Sequence, residues 1–144
     1  MGKQLDYLRF GSKYLVSRYT HTPLWAYVFI TYRCNLDCSY CYLHSPITQM
    51  PDMSNDMFNE VIKRLSAVKC GLIAFMGGEP TIHNELPNMV EKAVKAGFIT
   101  HLSTNGLTLT PDYVDTLGKS GIHVFNVSVD TMSSRSPSPK ALDK

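Results

Sequence analysis

Cys34, Cys38 and Cys41 stand in the run Thr31-Tyr32-Arg33-Cys34-Asn35-Leu36-Asp37-Cys38-Ser39-Tyr40-Cys41-Tyr42, with three residues and then two between the thiols. Three thiolates on one short loop can hold three irons of a cubic iron-sulfur cluster. With the usual fourth cysteine absent nearby, the remaining iron stays open to a small molecule. An open iron points to catalysis more than to electron storage. Plainer readings compete: a zinc knuckle, a disulfide pair, or unligated thiols in a core. Zinc takes its ligands in pairs roughly two to four residues apart and closes its shell with a fourth. The nearest candidate, His44, makes no recognised pairing. The cluster is the favoured reading and zinc the next.

Three more groups of reactive or ligand-seeking residues follow short apolar runs: Gly77-Gly78-Glu79-Pro80, Ser103-Thr104-Asn105-Gly106, and Ser128 with Asp130. A glycine pair lets backbone approach a ligand closely, and Glu79 beside it can answer an ammonium group. Taken singly, the first two are common turns between a strand and a helix, and Ser128 with Asp130 reads equally well as a helix cap. Their coincidence argues for a site.

The elements that must position these groups alternate. Residues 3–19 carry Leu5, Leu8, Leu15 and Tyr19 among basic and polar residues, an amphipathic helix weakened by Gly11 and expected at the domain edge. After Pro23, the run Trp25 to Ile30 is apolar on both faces, as in a parallel strand covered on both sides. Ser54 can cap a helix whose Phe58, Val61, Ile62 and Leu65 form one stripe. Leu72 to Met76 is a second strand, and Leu86, Met89, Val90, Ala93 and Val94 mark a second helix ended by Gly97. Phe98 to Leu102 is the third strand, Thr110-Pro111-Asp112 opens another helix, and Ile122 to Val129 is the fourth strand. Such alternation predicts an α/β fold with right-handed crossovers and a parallel sheet, open or curved towards a barrel. All four polar groups then share the rim at the C-terminal strand ends, where such folds hold ligands. The predicted organisation is a helical extension over 1–22, a core over 23–130, and a Ser/Pro-rich tail or start of a further helix over 131–144.

At 144 residues, 44% of them hydrophobic and 18% charged, the chain is globular in composition and one domain's worth. A net charge of +2 gives no argument for nucleic acid. Leu24 to Ile30, the longest apolar run, is far too short for a membrane span, and the N-terminus lacks a secretory signal. Clustered thiols suit a reducing cytoplasm better than a disulfide scaffold, and Cys70, among apolar neighbours, reads as a buried structural thiol.

The chain resembles the radical S-adenosylmethionine (radical SAM) enzymes. The resemblance lies in the three-cysteine loop with Tyr40 before its last cysteine, in Gly77-Gly78-Glu79-Pro80, in Ser103-Thr104-Asn105-Gly106 and in Val127-Ser128-Val129-Asp130. It runs from about Pro23 to Asp130. It implies a partial barrel of (βα) units and a 4Fe-4S cluster on Cys34, Cys38 and Cys41. S-adenosylmethionine would chelate the open iron, and one-electron cleavage would release a 5'-deoxyadenosyl radical that takes hydrogen from a substrate. The resemblance places Gly77, Gly78 and Glu79 at the methionine amino group and Tyr40 near the adenine. Ser103, Thr104, Asn105, Ser128 and Asp130 fall where the family contacts carboxylate or ribose, and Pro80 completes the glycine motif. It implies a reductant such as a ferredoxin or flavodoxin, and a small-molecule or peptide substrate. Four strands and three complete helices are fewer than family members carry, so the sequence looks truncated, with a fourth strand left open to self-association. The alternative is an iron-sulfur electron-transfer or interaction module without radical chemistry.

Overall fold

Val28, Ile30, Ile73, Phe75 and Leu102 pack into one apolar cluster while Leu72, Ala74 and Ile99 pack into another. Because successive side chains on a strand point to opposite faces, this division means that the central strands are covered on both sides, whereas the first strand, expected to be covered on both faces, leaves the face of Trp25 and Tyr27 open. The computed structural model describes residues 2–43, 50–130 and 140; His44 and all of the 131–144 tail except Lys140 lie outside the described residues. Its elements run α1 (Gly2–Thr20), β1 (Trp25–Thr31), α2 (Asn55–Ala67), β2 (Leu72–Gly77), a 3-10 turn (Pro80–Ile82), α3 (Leu86–Lys95), β3 (Ile99–Thr104), α4 (Pro111–Ser120) and β4 (Val124–Val127). The strands form one sheet in the order β1-β2-β3-β4, parallel at every pairing. The expected α/β fold with four parallel strands is observed.

The helix starts and stops follow local chemistry. Ser54 accepts from the Met57 N–H at 3.2 Å and Thr110 from the Tyr113 N–H at 3.3 Å, each satisfying an amide that the first helical turn leaves open. Gly121 ends α4 at a φ of 96°, a left-handed conformation that glycine adopts without strain. Phe58 of α2, Met89 and Val90 of α3, and Leu117 of α4 meet the sheet in the larger cluster. Among the described residues no helix is long and apolar enough to cross a membrane.

Two further sequence expectations are corrected. The apolar stripe proposed for α1 faces outward, with Leu8 73% and Tyr19 80% exposed. The inward face carries instead Asp6, Tyr7, Phe10 and Lys13, spaced as one helical face, with Phe10 on the sheet and the others on the segments that lead into its strands. Phe10 packs on Leu72 and Ile99, and the Lys13 ammonium donates to the Cys70 and Gly97 carbonyls at 3.0 and 3.1 Å. Half of that face is polar, so hydrophobic periodicity hid it. The ends of β3 and β4 also differ. β3 extends to Thr104, and β4 is confined to Val124–Val127, where the register His101↔Val124 to Thr104↔Val127 gives it a partner.

Candidate active site

Each strand delivers its C-terminal end to the same rim, and a cavity of about 260 Å³ opens there. Its walls include Cys34, Cys38, Cys41, Tyr40, Gly77, Gly78, Glu79, Ser103, Thr104, Asn105 and Ser128, so four segments spaced along the chain converge on one space. Pro80 and Asp130 are not among its lining residues. Pro80 starts the buried 3-10 turn behind Glu79, and Asp130 accepts from the Tyr40 hydroxyl. That carboxylate holds the Tyr40 phenol above its ordinary range, against the opposing pull of the Lys140 ammonium.

The cysteine loop leaves β1 and is pinned at once. Gly78 N–H donates to Thr31 O at 3.0 Å and Glu79 N–H to Arg33 O at 2.8 Å, carrying the β1–β2 contact past the end of the regular strands. A Cβ on Gly77 would overlap the Thr31 carbonyl oxygen, and one on Gly78 the Arg33 carbonyl oxygen. The glycine pair is therefore required by the approach of the cysteine loop itself. Further on, Cys41 N–H donates to Cys38 O at 2.9 Å in a tight turn.

Glu79 is 1% exposed. Its Oε1 accepts from Thr81 N–H at 3.1 Å, from the Thr104 hydroxyl at 2.7 Å and from the Thr81 hydroxyl, while Oε2 accepts from Asn105 N–H at 2.7 Å. A buried carboxylate is tolerated only with such a set of donors. The sequence suggested this side chain as a partner for an ammonium; in the structure it braces the β2 loop against the β3 loop. Asn105 Nδ2 then donates to Asn35 Oδ1 at 2.7 Å, returning to the cysteine loop. Arg33, Glu79, Asn105 and Asn35 thus close a hydrogen-bonded ring through the peptide of Cys34.

All four cysteines are free thiols. Cys38 is buried, Cys41 half-buried and Cys34 exposed as a residue, though burial of its sulfur still pushes that thiol up, eased by the Leu36 N–H and reinforced by Glu79, Cys38 and Cys41. Among the described residues no three His, Cys, Asp or Glu side chains are gathered tightly enough for a single metal ion. The donor set fits a cluster in its chemistry: three soft thiols on one loop, facing a cavity bounded by a glycine edge that nothing larger can occupy. Cys70 lies apart, fully buried ahead of β2.

The Radical SAM superfamily profile matches residues 28–143. This chain belongs to the radical SAM superfamily. It is 34% identical over 110 residues to the tungsten-containing aldehyde ferredoxin oxidoreductase cofactor-modifying protein of Pyrococcus furiosus, a match covering 74% of this chain and 30% of that relative. Among solved structures it is similar to BtrN in complex with AdoMet and 2-DOIA, at a TM-score of 0.68 and 25% identity, over 79% of this chain and 47% of that one. It also shares the fold of Streptococcus suis SuiB bound to precursor peptide SuiA, at a TM-score of 0.68 and 17% identity, over 85% of this chain and 28% of that one. The radical SAM chain therefore spans about half or less of these relatives, and its sheet is a partial radical SAM barrel.

Sequence reasoning found most of the residues at the rim. It missed Thr31 and Asp52, which bond each other across 21 residues, Thr81, which joins Glu79 to Thr108 and Tyr113, and Met76 and Lys140, which also line the cavity.

Proposed function

We propose that the chain binds a 4Fe-4S cluster through Cys34, Cys38 and Cys41 and uses S-adenosylmethionine for radical chemistry in a reducing cytoplasm. The convergence of the three thiols and the Gly77-Gly78-Glu79 edge on one cavity carries this reading. When bound, the cluster and S-adenosylmethionine together supply one-electron cleavage to methionine and a 5'-deoxyadenosyl radical, which takes a hydrogen atom from a substrate. The electron comes from a donor of the ferredoxin or flavodoxin class. The substrate is a small molecule or a peptide.

The chain's own residues bind and orient. Gly77, Gly78 and Glu79 present a backbone edge to the methionine amino group, and the Glu79 carboxylate keeps that edge fixed against Thr104 and Asn105. Tyr40 flanks the adenine, tied to Asp130. Ser103, Asn105 and Ser128 offer donors to the carboxylate and ribose, with Pro80 holding the turn behind them. Leu36, Leu43 and Met76 give the cavity an apolar wall that limits water.

The test is anaerobic reconstitution with iron and sulfide, reduction by dithionite, and measurement of 5'-deoxyadenosine and methionine. Both products in equal amount, absent from Cys38→Ala, support the reading. A reducible cluster that leaves S-adenosylmethionine intact supports the electron-transfer alternative.

A further inference from the structure

The cysteines sit on an excursion that leaves the sheet after Thr31 and returns at Asp52, and its two feet are tied together. Met53 N–H donates to Ile30 O at 2.8 Å. The Thr31 hydroxyl donates to Asp52 Oδ1 at 2.6 Å and accepts from Arg33 N–H at 3.1 Å. The Arg33 guanidinium grips the same carboxylate twice, Nε to Oδ1 at 3.1 Å and Nη2 to Oδ2 at 2.5 Å. A planar fork on a carboxylate fixes direction as well as distance, which a lysine ammonium does not. The Arg33 carbonyl is held independently by Glu79 N–H. The residue before Cys34 is thus fixed from both sides, by side chain and by backbone.

Fold stability gives a reason for the Thr31 bond, because Thr31 is fully buried and its hydroxyl needs an acceptor, but little reason for the arginine. The Arg33 and Asp52 side chains are 50% and 29% exposed, and surface ion pairs contribute little to stability. Their position does give a reason, since the chain runs directly from this neck into the first thiol.

We propose that Asp52 is a positioning residue for the thiol loop: through Arg33 and Thr31 it fixes the path of the chain into Cys34 and so sets how firmly the loop holds a metal cluster. The inference rests on the cluster reading above and extends it to a residue outside every motif.

The test uses the full chain and its Asp52→Ala, Asp52→Asn and Arg33→Lys variants, reconstituted anaerobically with iron and sulfide. Three quantities are measured: iron release to a ferrous chelator, the electron paramagnetic resonance spectrum of the reduced cluster, and the melting temperature of the metal-free chain. Asp52→Ala should release iron about ten- to a hundredfold faster, the range for lost outer partners of metal ligands, with a shifted spectrum. Arg33→Lys should fall between it and wild type. Asp52→Asn keeps an acceptor for the buried Thr31 hydroxyl, so it and Arg33→Lys should lose iron faster than wild type while their metal-free melting temperatures stay close to it; Asp52→Ala should also melt lower. The charge-reversed pair Arg33→Asp with Asp52→Arg should recover part of the loss. Release rates and spectra indistinguishable from wild type would overturn the inference, as would iron loss that merely tracks the fall in melting temperature. A wild-type chain that takes up no cluster refutes the cluster reading and this inference with it. A wild type and variants that hold the cluster equally well refute this inference alone.

Discussion

At Glu79 a single carboxylate joins two loops that the sequence separates by 25 residues. Replacing it with glutamine turns an acceptor into a donor and leaves Asn105 N–H or the Thr104 hydroxyl without its bond. An unsatisfied buried donor costs about 1–3 kcal/mol, so Glu79→Gln should lower the melting temperature measurably. It should also weaken S-adenosylmethionine binding while the three thiols keep their iron, because the Glu79 N–H that holds the Arg33 carbonyl ahead of Cys34 is unchanged. Iron content and ligand titration on the same preparation check this. Cys70→Ala should keep full iron, and Cys38→Ala should lose it. At this scale the gathering of the thiols, the glycines and the polar rim residues on one cavity was legible, because each follows a strand at its C-terminal end. The bracing by Glu79 was not, since its donors on Thr104 and Asn105 lie in another motif far along the chain. Asp52 and Thr31 were illegible for the same reason: their meaning lies in each other and in Arg33.

Strands, helices and caps were read with small errors in their ends, because apolar runs and Ser, Thr, Pro and Gly punctuation are local signals. Helix α1 was placed with the wrong face inward, since its inward contacts are made through Lys13, Asp6 and Tyr7, on segments leading into the strands, as much as through Phe10 on the sheet. Phe10→Ala should therefore destabilise the chain by about 2 kcal/mol, somewhat below a fully buried phenylalanine. Leu8→Ser, on the exposed face, should change stability by less than about 0.5 kcal/mol. Thermal unfolding of the two variants separates the two faces. On β3, burial lowers the His101 pKa, and its Nδ1 has no hydrogen-bond partner among the described residues. The unfolded chain then binds a proton that the folded chain resists, so stability is retained above the unfolded value of about 6.5 and lost as pH falls below it. Melting between pH 8 and 5.5 should show that slope, and His101→Gln should flatten it.

At the scale of the molecule, β1 and β4 are the edge strands of the sheet, each paired on one side only among the described residues. Val124 and Val127 of β4 are 39% and 44% exposed, and Trp25 and Tyr27 of β1 are exposed as well. Unpaired apolar edges template pairing with another chain, so the 144-residue chain should self-associate, with a mass above monomer in size-exclusion chromatography with light scattering. A lysine at Val124 should reduce that association. The alternation of elements made the parallel sheet legible in advance; the mutual dependence of cysteine loop, glycine pair and Glu79 emerged only when the four rim segments were brought together. The central claim is that this rim holds a cluster with an iron open to S-adenosylmethionine. Electron paramagnetic resonance of the reduced, reconstituted chain, recorded with and without saturating S-adenosylmethionine, tests it most directly. The account predicts a changed g-tensor on addition, lost in Cys34→Ala together with the cluster signal. A spectrum that S-adenosylmethionine leaves unaltered would contradict it.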